Sequence, residues 1–512
     1  MRTRDTVADL TTVKLDWASG MPLYRQLYEV VRQRVLDGTL AAGARLPAAR
    51  VLMKDVCVSR NTVLAAFHQL IADGHLLAKP GSGVYVAERA SAPPVSTVGI
   101  VDPGSVASPT PPTSPVPQAP LSSAKPDETL HLPTRASILA ELPLSKLYRP
   151  GPPRPFRTGA PDSREFPLET WERLRARALR EGGAQLLNAG DPAGYFPLRE
   201  ALAGYLREAR DIRCTADQIV VTAGAQTALR LIGSVLASPG DVVAIEEPGY
   251  FGAKAAFLDA GARVAPLLVD EEGAITPAAR RHNTPVLVYT TPAHQFPLGF
   301  TMTSRRRLGM LDFAVKHRAW VVEDDYDSEL RYDGRPPLSL LSLDRHGRAI
   351  YVGSTSSLLF PTLRIGYLVL PATQVGSFVK ANAIAGGYGP LVDQATLALF
   401  ITEGHLAHHV SRVKQVYQRR LAALRQAVQR DLPDIFEIET GQAGLNTVAW
   451  LCRSWEEEEV TSAAAASGLD LTPLGAYGTT GLMRPGVVFG FSAFTPEELQ
   501  KAIARLALAL RA

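Results

Sequence analysis

A proline-rich segment divides this 512-residue chain into two parts that must fold separately. Eleven prolines lie between Pro93 and Pro133, with PTPPTSPVPQAP at the centre of the segment. Proline fixes φ and removes a backbone N–H, so such a stretch favours extended chain and cannot build a core. We therefore predict a small domain over residues 1–88, a flexible linker over 89–135 and a large domain over 136–512. Docking of the prolines onto a partner is the alternative for the linker.

The excess positive charge lies in the small domain. Residues 1–87 hold 11 of the 54 Lys and Arg and 7 of the 50 Asp and Glu residues, which leaves 43 of each sign for the rest. This asymmetry favours an anionic partner for the small domain.

No apolar run approaches the roughly 20 residues of a membrane span, and the N-terminus lacks a signal-peptide core. A cytoplasmic location and no membrane partner are therefore expected, and the three cysteines form no CxxC pair.

The small domain has the pattern of a winged helix-turn-helix. Residues 22–36 predict a helix with an apolar stripe of Tyr24, Leu27, Tyr28, Val31 and Val35. A short helix is predicted over about 48–55, and Ser59 is the predicted N-cap of a third helix, RNTVLAAFHQLIAD. That helix combines an apolar face with a polar first turn, as a recognition helix requires. HLLAKPGSGVYVA then predicts a two-stranded wing.

The motifs PLYRQL, RLPAAR, VSRNTV and GSGVYV resemble those of the GntR family of DNA-binding regulators in order and spacing. The resemblance implies double-stranded operator DNA as a partner. The residues that it implies as DNA contacts are Arg45, Arg50, Ser59, Arg60, Asn61, Thr62, Lys79 and Gly81. A tri-helical protein-binding domain with a solvated arginine face is the alternative.

Short β-rich runs alternate with helical segments over most of the large domain. The runs QIVVT, DVVAIEE, VLVYT, AWVVEDD, AIYVGS and IGYLVL predict strands, and an intervening helical pattern favours a mostly parallel sheet covered by helices. A short helix is also predicted in ILAELPLSKLY, ahead of this region. From about Asp393 the chain becomes helix-rich and ends in an α+β pattern, which predicts a smaller C-terminal subdomain.

Residues 349–371 carry the frame Tyr-Val-Gly-Ser-Thr-Ser-x-x-Leu-x-Pro-x-x-Arg-Ile-Gly-Tyr. This frame resembles the segment of MocR-type regulators that holds the lysine for pyridoxal 5′-phosphate (PLP). MocR-type regulators fuse a GntR-like domain to a fold-type-I aminotransferase-like domain, and residues 160–512 resemble that fold throughout. The resemblance implies a multidomain protein: a small α+β winged helix, then a large α/β aminotransferase-like domain with an α+β C-terminal subdomain.

The same resemblance implies a set of cofactor-binding residues. Asp324 matches the carboxylate at the pyridine nitrogen, Tyr326 the tyrosine near the 3′-oxygen, and Tyr250 the residue that stacks on the ring. The phosphate cup is implied at Gly224, Ala225, Gln226, Ser354, Ser356 and Arg364. TTPAHQFPLG, residues 290–299, matches a cofactor-side loop. Judged without the resemblance, the acidic run EDDYD could instead be an N-cap or a surface acidic cluster.

Two positions depart from the family pattern. The lysine position is Ser357, and a serine hydroxyl cannot form the carbon–nitrogen bond that holds the cofactor. The tyrosine that reaches the neighbouring subunit's phosphate is replaced by Ala189. No catalytic residue is therefore expected, and PLP is expected without covalent attachment or not at all. An empty, vestigial pocket and a different small effector both remain open.

The preferred interpretation is a DNA-binding transcriptional regulator whose aminotransferase-like domain senses a PLP-like or amino-acid-like effector and forms a domain-swapped homodimer, as the family does. A PLP-dependent aminotransferase with a DNA-binding appendage is one alternative, and a DNA-binding dimer without an effector is another. Arg484 is a candidate for the arginine that binds the substrate carboxylate in aminotransferases. His405 and His409 lie four residues apart, but no third ligand is apparent, so no metal is expected.

Overall fold

The computed structural model describes residues 21–79, 83–87, 134–143, 151–279, 283–438, 443–452, 454–478 and 484–511, together with 10, 13, 15–17, 19 and 145. Two compact units are present, Met1–Ser123 and Ala124–Ala512. Residues 89–133 of the predicted linker lie outside the described residues, so the linker and its exact boundaries stay predictions.

The small unit has the predicted order of helices and strands, with α1 at Leu23–Leu36, α2 at Ala49–Asp55, α3 at Arg60–Ala72, β1 at Leu76–Lys79 and β2 at Gly83–Val86. The two strands pair antiparallel as a hairpin. The Ser59 hydroxyl accepts a hydrogen bond from the Thr62 N–H at 3.1 Å, which confirms Ser59 as the N-cap of α3. The core contains Leu27, Val31, Leu52, Val63 and Leu70, all fully buried.

One residue of the predicted α1 stripe does not face this core. Tyr24 is 39% exposed, whereas Leu27 and Val31 are fully buried. Tyr24 lies in the first turn of α1, ahead of the residues that pack against α3. Helical spacing therefore identified the buried face correctly but extended it one turn too far.

The large unit is built on an eight-stranded sheet in the order β3-β10-β9-β8-β7-β4-β5-β6. β4, β5, β7, β8 and β9 are parallel, and β10 runs antiparallel between β3 and β9. The strands are β3 Ile219–Thr222, β4 Val242–Glu247, β5 Arg263–Asp270, β6 Gly273–Ala274, β7 Leu287–Thr290, β8 Trp320–Asp325, β9 Ala349–Ser354 and β10 Gly366–Val369. The mostly parallel sheet that the sequence predicts is confirmed.

Helices cover this sheet and lead to the C-terminal subdomain. They are α4 Thr134–Glu141, α5 Leu168–Gly182, α6 Phe196–Arg210, α7 Ala225–Leu236, α8 Phe251–Asp259, α9 Ser304–His317, α10 Leu340–Leu343, α11 Val375–Ala385, α12 Leu391–Thr402, α13 His405–Asp431, α14 Glu457–Ala466 and α15 Pro496–Leu510. The subdomain holds an antiparallel sheet in the order β11-β12-β14-β13, formed by Phe436–Ile438, Asn446–Leu451, Gly486–Gly490 and Thr472–Pro473. Of the helices in the described ranges, none is both long and apolar enough to cross a membrane.

α4 differs from the helix that the sequence predicts at this place. The predicted helix begins near Ile138, but α4 starts at Thr134 and ends at Glu141, two residues before Pro143. A proline disfavours helical backbone in the residue before it, which explains the early end. α4 packs against α8. Over residues 136–143, none of its side chains is buried.

Candidate functional site

Three acidic residues end β8, and the two-residue period of a strand sends them to alternate faces of the sheet. On one face, Asp325 accepts hydrogen bonds from Arg210 Nε at 2.6 Å and from the Tyr351 hydroxyl at 2.8 Å. Glu323 lies near the same arginine, 3.8 Å from its Nη2. Asp324 points to the other face. All three carboxyl groups are buried, so the interpretation of this run as a surface acidic cluster is wrong.

The Asp324 carboxyl group has one oxygen without a partner. The Tyr289 hydroxyl on β7 donates to Oδ2 at 2.7 Å, whereas Oδ1 is buried and unbonded within the described part of the chain. Burial raises the pKa of Asp324 to about 7, although the Tyr289 hydrogen bond opposes the rise. Buried polar atoms are rarely left unsatisfied, and a protonated pyridine nitrogen is one group that would satisfy Oδ1 by donating a hydrogen bond to it.

A second group of residues on the same edge of the sheet can hold a phosphate. α7 begins directly after Gly224, and the free N–H groups of a helix start attract anions. The Arg364 guanidinium lies beside it, because a Cβ on Gly224 would be 3.6 Å from Arg364 Cζ. Among the described residues, Arg364 has no ion pair or side-chain hydrogen bond. The helix start and this unpaired cation together fit a phosphate dianion.

The close approach of two backbones gives this cup its shape. Gly366 stands opposite both Thr222 and Ser354 in the register of β10. A Cβ on Gly366 would lie 2.7 Å from the carbonyl carbon of Gly224, so no larger residue fits there without displacing the start of α7. Ser354 ends β9, and its hydroxyl accepts a hydrogen bond from the Ser356 N–H at 3.2 Å. Both serines are therefore held at the cup.

Tyr250 and Gln226 form the next wall of the site. The Tyr250 hydroxyl donates to Gln226 Oε1 at 3.3 Å, and Gln226 Nε2 donates to the Gly252 carbonyl at 2.8 Å. Burial raises the pKa of Tyr250 to about 12; the charge of Asp324 adds to this rise and that of Arg364 opposes it. The tyrosine therefore lies within electrostatic range of both Asp324 and Arg364.

Tyr326 follows β8 and is connected to a buried histidine. Its hydroxyl lies 3.0 Å from His294 Nδ1, and the same nitrogen lies 2.9 and 3.0 Å from the carboxyl oxygens of Asp327. His294 belongs to the loop over residues 290–299, which is anchored on Glu246. The carboxyl group of that residue accepts hydrogen bonds from the N–H of Thr291 at 3.1 Å and from its hydroxyl at 2.6 Å.

The two departures from the family pattern differ in their burial. Ser357 is half-buried in the turn after β9, and Ala189 is exposed before the Gly190–Gly194 turn. The guanidinium of Arg484, the candidate for binding a substrate carboxylate, pairs with Glu437 at 2.7 Å in the C-terminal subdomain. His409 Nε2 donates to the Leu358 carbonyl at 2.9 Å, and no metal-ligand cluster occurs in the described segments.

The predicted DNA contacts lie in four places: Arg45 before α2, Arg50 in α2, residues 59–62 at the start of α3, and Lys79 on the wing. Arg45, Arg50, Ser59, Arg60, Asn61 and Lys79 are exposed, and Thr62 is half-buried. The Arg45 guanidinium lies along the wing, since a Cβ on Gly83 would be 3.1 Å from its Nε. Lys79 Nζ lies 4.7 Å from the centre of the Tyr85 ring. Gly81 falls outside the described residues.

Comparison with known proteins assigns both units. Residues 23–86 match the family of bacterial regulatory proteins called gntR. Over 490 residues the chain is 34% identical to the probable rhizopine catabolism regulatory protein MocR of Rhizobium meliloti, covering 96% of this chain and 94% of that protein. The chain belongs to the MocR-type regulators. It is thus a DNA-binding transcriptional regulator with a GntR-type winged helix and an aminotransferase-like domain.

Further relatives include both regulators and enzymes. The pyridoxine biosynthesis transcriptional regulator PdxR of Corynebacterium glutamicum is 29% identical to this MocR-type chain and is aligned over 94% of each protein. The solved structure of Pyrococcus horikoshii kynurenine aminotransferase, in complex with PMP, superposes with a TM-score of 0.66. It is 26% identical and covers 74% of this chain and 96% of that one. The predicted aminotransferase-like fold is confirmed.

The structure also shows residues in contact with the predicted site residues that motif matching did not identify. Tyr289 contacts Asp324 from the neighbouring strand, and Asp327 with His294 supports Tyr326. The only sign of His294 in the sequence was that it is the one ionisable residue of the loop over residues 290–299. The contacts of Tyr289 and Asp327 depend on strand order, which no local motif of this MocR-type chain specifies.

We expect Asp324→Asn to stabilise the ligand-free protein above pH 7 and to weaken its affinity for a pyridine ligand. The folded state holds the carboxyl group with a pKa of about 7, above its ordinary value of 3.8, so folding favours the protonated form. The natural protein therefore loses stability as the pH rises from about 4 to 7, whereas the neutral amide does not titrate. Thermal melts at pH 5 and pH 8 check this, and an equal decrease in both proteins would contradict it.

Proposed function

We propose that the large unit binds PLP, or a closely related pyridine phosphate, without a covalent bond and is the effector-sensing domain of this regulator. The proposal rests on one observation. At one edge of the sheet lie Asp324, whose Oδ1 has no hydrogen-bond partner, and the unpaired guanidinium of Arg364, beside the start of α7. Asp324 would take the ring nitrogen, and Arg364 with Gly224, Ala225, Ser354 and Ser356 would take the phosphate. The name of PdxR, a regulator of pyridoxine biosynthesis, supports a ligand of the vitamin B6 class.

The remaining residues of the site would enclose the ring. Tyr250, held by Gln226, would stack on the ring face, and Tyr326 would approach the ring oxygen. In enzymes that hold it on a lysine, this cofactor supplies an electron sink, and Ser357 offers no amine for that chemistry. Binding and release then serve as the signal, which requires the ligand to have different affinities for two states of the protein.

Calorimetric titration of the full chain with PLP tests this proposal. We expect saturable one-site binding that Arg364→Ala and Asp324→Asn each weaken by about tenfold or more. Operator affinity is then measured with and without a saturating amount of PLP. If no binding occurs, the pocket is vestigial; if PLP binds but leaves operator affinity unchanged, it is not the effector.

For the small unit we propose that Arg45, Arg50, Arg60 and Lys79 contact operator DNA together with the polar first turn of α3, Ser59, Asn61 and Thr62. Arg60 begins α3 and is exposed, so it can enter the major groove or contact a phosphate. Gly81 belongs to the same proposed wing contact.

We expect Arg60→Ala to weaken operator binding by about 1–3 kcal/mol. A phosphate contact predicts equal weakening on all sequences and a salt slope reduced by about one, whereas a base contact predicts relaxed specificity. Fluorescence anisotropy over a salt series distinguishes these results. Arg25→Ala, an equal loss of charge on the exposed side of α1, is the control and should change little.

We also propose that the protein forms a homodimer with swapped domains, as the family resemblance implies. Leu187, two residues before Ala189, is 74% exposed, which supports burial of this loop against a second copy. Light scattering measures the mass directly. A monomer at micromolar concentration would exclude the dimer, and Leu187→Asp should shift a dimer toward monomer.

A further inference from the structure

His294 occupies a pocket built for its imidazole ring. Gly444 packs against one side, because a Cβ there would lie 2.4 Å from His294 Cε1 and 2.5 Å from Asp327 Oδ2. Gly299 lies at another side, where a Cβ would be 3.3 Å from Nε2. The Asp327 side chain is 1% exposed and the His294 side chain 10%. The ring is therefore fixed in place by close packing and by its carboxylate partner.

The contacts of Nδ1 determine which atom donates each hydrogen bond. Nδ1 faces both carboxyl oxygens of Asp327, so the stable arrangement is an Nδ1–H that donates to the carboxylate. That N–H also points toward the Tyr326 oxygen at 3.0 Å, which therefore acts as an acceptor there. The hydroxyl hydrogen of Tyr326 is then left to donate away from His294.

The His294–Asp327 pair also keeps Tyr326 from an alternative partner. Asp327 is buried close to Tyr326, and its charge contributes to raising the pKa of that tyrosine well above the ordinary value, after burial itself. Without the imidazole, the buried Asp327 carboxylate would be free to accept the Tyr326 hydroxyl hydrogen. The hydroxyl would then turn from the site to the carboxylate.

We propose that His294 and Asp327 are positioning residues that aim the Tyr326 hydroxyl hydrogen into the site, and that they make the site select pyridine phosphates with an ionisable ring hydroxyl. The deprotonated oxygen of that hydroxyl accepts the hydrogen bond. This inference rests on the proposed binding of a pyridine phosphate and adds a discrimination that binding alone does not require.

Two probes and four proteins test the inference. The probes are PLP and its analogue without the ring hydroxyl, 3-deoxypyridoxal 5′-phosphate. We expect the natural protein to bind PLP about tenfold to hundredfold more tightly than the analogue, the range of a hydrogen bond to a charged oxygen. His294→Leu and Tyr326→Phe should weaken PLP binding more than analogue binding and so reduce this ratio to near one. His294→Asn, whose amide N–H can replace Nδ1–H, should keep most of the ratio.

The outcomes separate this inference from the proposed function. If neither probe binds the natural protein, both the proposed binding of a pyridine phosphate and the proposed selectivity are wrong. If both probes bind with equal affinity, the pyridine phosphate site stands and the selectivity does not. If His294→Leu weakens both probes by the same factor, His294 only supports the fold and its positioning role is overturned.

Discussion

The Ser357→Lys variant is expected to hold PLP covalently, and the natural protein is expected to release it. Ser357 lies in the turn after β9, three residues beyond Ser354 and on the sheet edge that carries Asp324. An amine at this place can condense with the aldehyde of the ligand with loss of water, which a hydroxyl cannot do. We expect release at least about a hundredfold slower. After borohydride reduction, peptide mass spectrometry should find one ligand on residue 357.

Ser357→Arg is the matched control. It adds a cation of similar length to the same turn but no amine that can form the bond, so it should show no mass increase. Adduct on other lysines in both variants would indicate non-specific labelling. If Ser357→Lys binds PLP and gains no adduct, Ser357 does not occupy the lysine position, and the resemblance of residues 349–371 misplaces it.

The Val63→Asp variant is expected to abolish operator binding while the large unit remains folded. Val63 is fully buried in the core of the small unit, where an unpaired carboxylate costs about 3–5 kcal/mol. A domain of this size has a total stability of similar magnitude. Because Met1–Ser123 and Ala124–Ala512 form separate compact units, the melting transition of the large unit should be preserved.

His68→Asp is the control for this variant. It places the same charge on the exposed side of α3, five residues further along the helix. It should leave the small unit folded and its melting transition in place, although a carboxylate on the face of α3 that carries Asn61 should itself weaken operator binding. Calorimetric melting and anisotropy measure the two effects. Operator binding by Val63→Asp within tenfold of the natural protein would contradict the packing described for α3.

The sequence allowed most of the fold and the proposed ligand residues to be predicted because the informative residues lie in short runs at strand ends. Asp324 ends β8, Ser354 ends β9 and Gly224 follows β3, so each motif includes both the strand and the turn that carries the chemistry. The structure brings these residues to one edge of the sheet. Their contacts with a ligand remain a prediction.

The parts that could not be predicted depend on contacts between distant residues. His294 and Asp327 are 33 positions apart, and Gly444, which packs on both, belongs to a different subdomain. Tyr289 reaches Asp324 only because β7 and β8 are neighbours in the sheet. None of these features follows from spacing within one segment.

The shallow packing of α4 affects the reach of the chain that leads toward the small unit. α4 has eight residues, and the side chains over 136–143 are at most half-buried against the domain. A helix advances 1.5 Å per residue and an extended chain about 3.3 Å, so release of α4 lengthens the tether by about 15 Å. At 3.4 Å per base pair, this corresponds to about four base pairs of DNA. In the proposed homodimer, attachment or release of α4 would therefore change the half-site spacing that the two winged helices can occupy together.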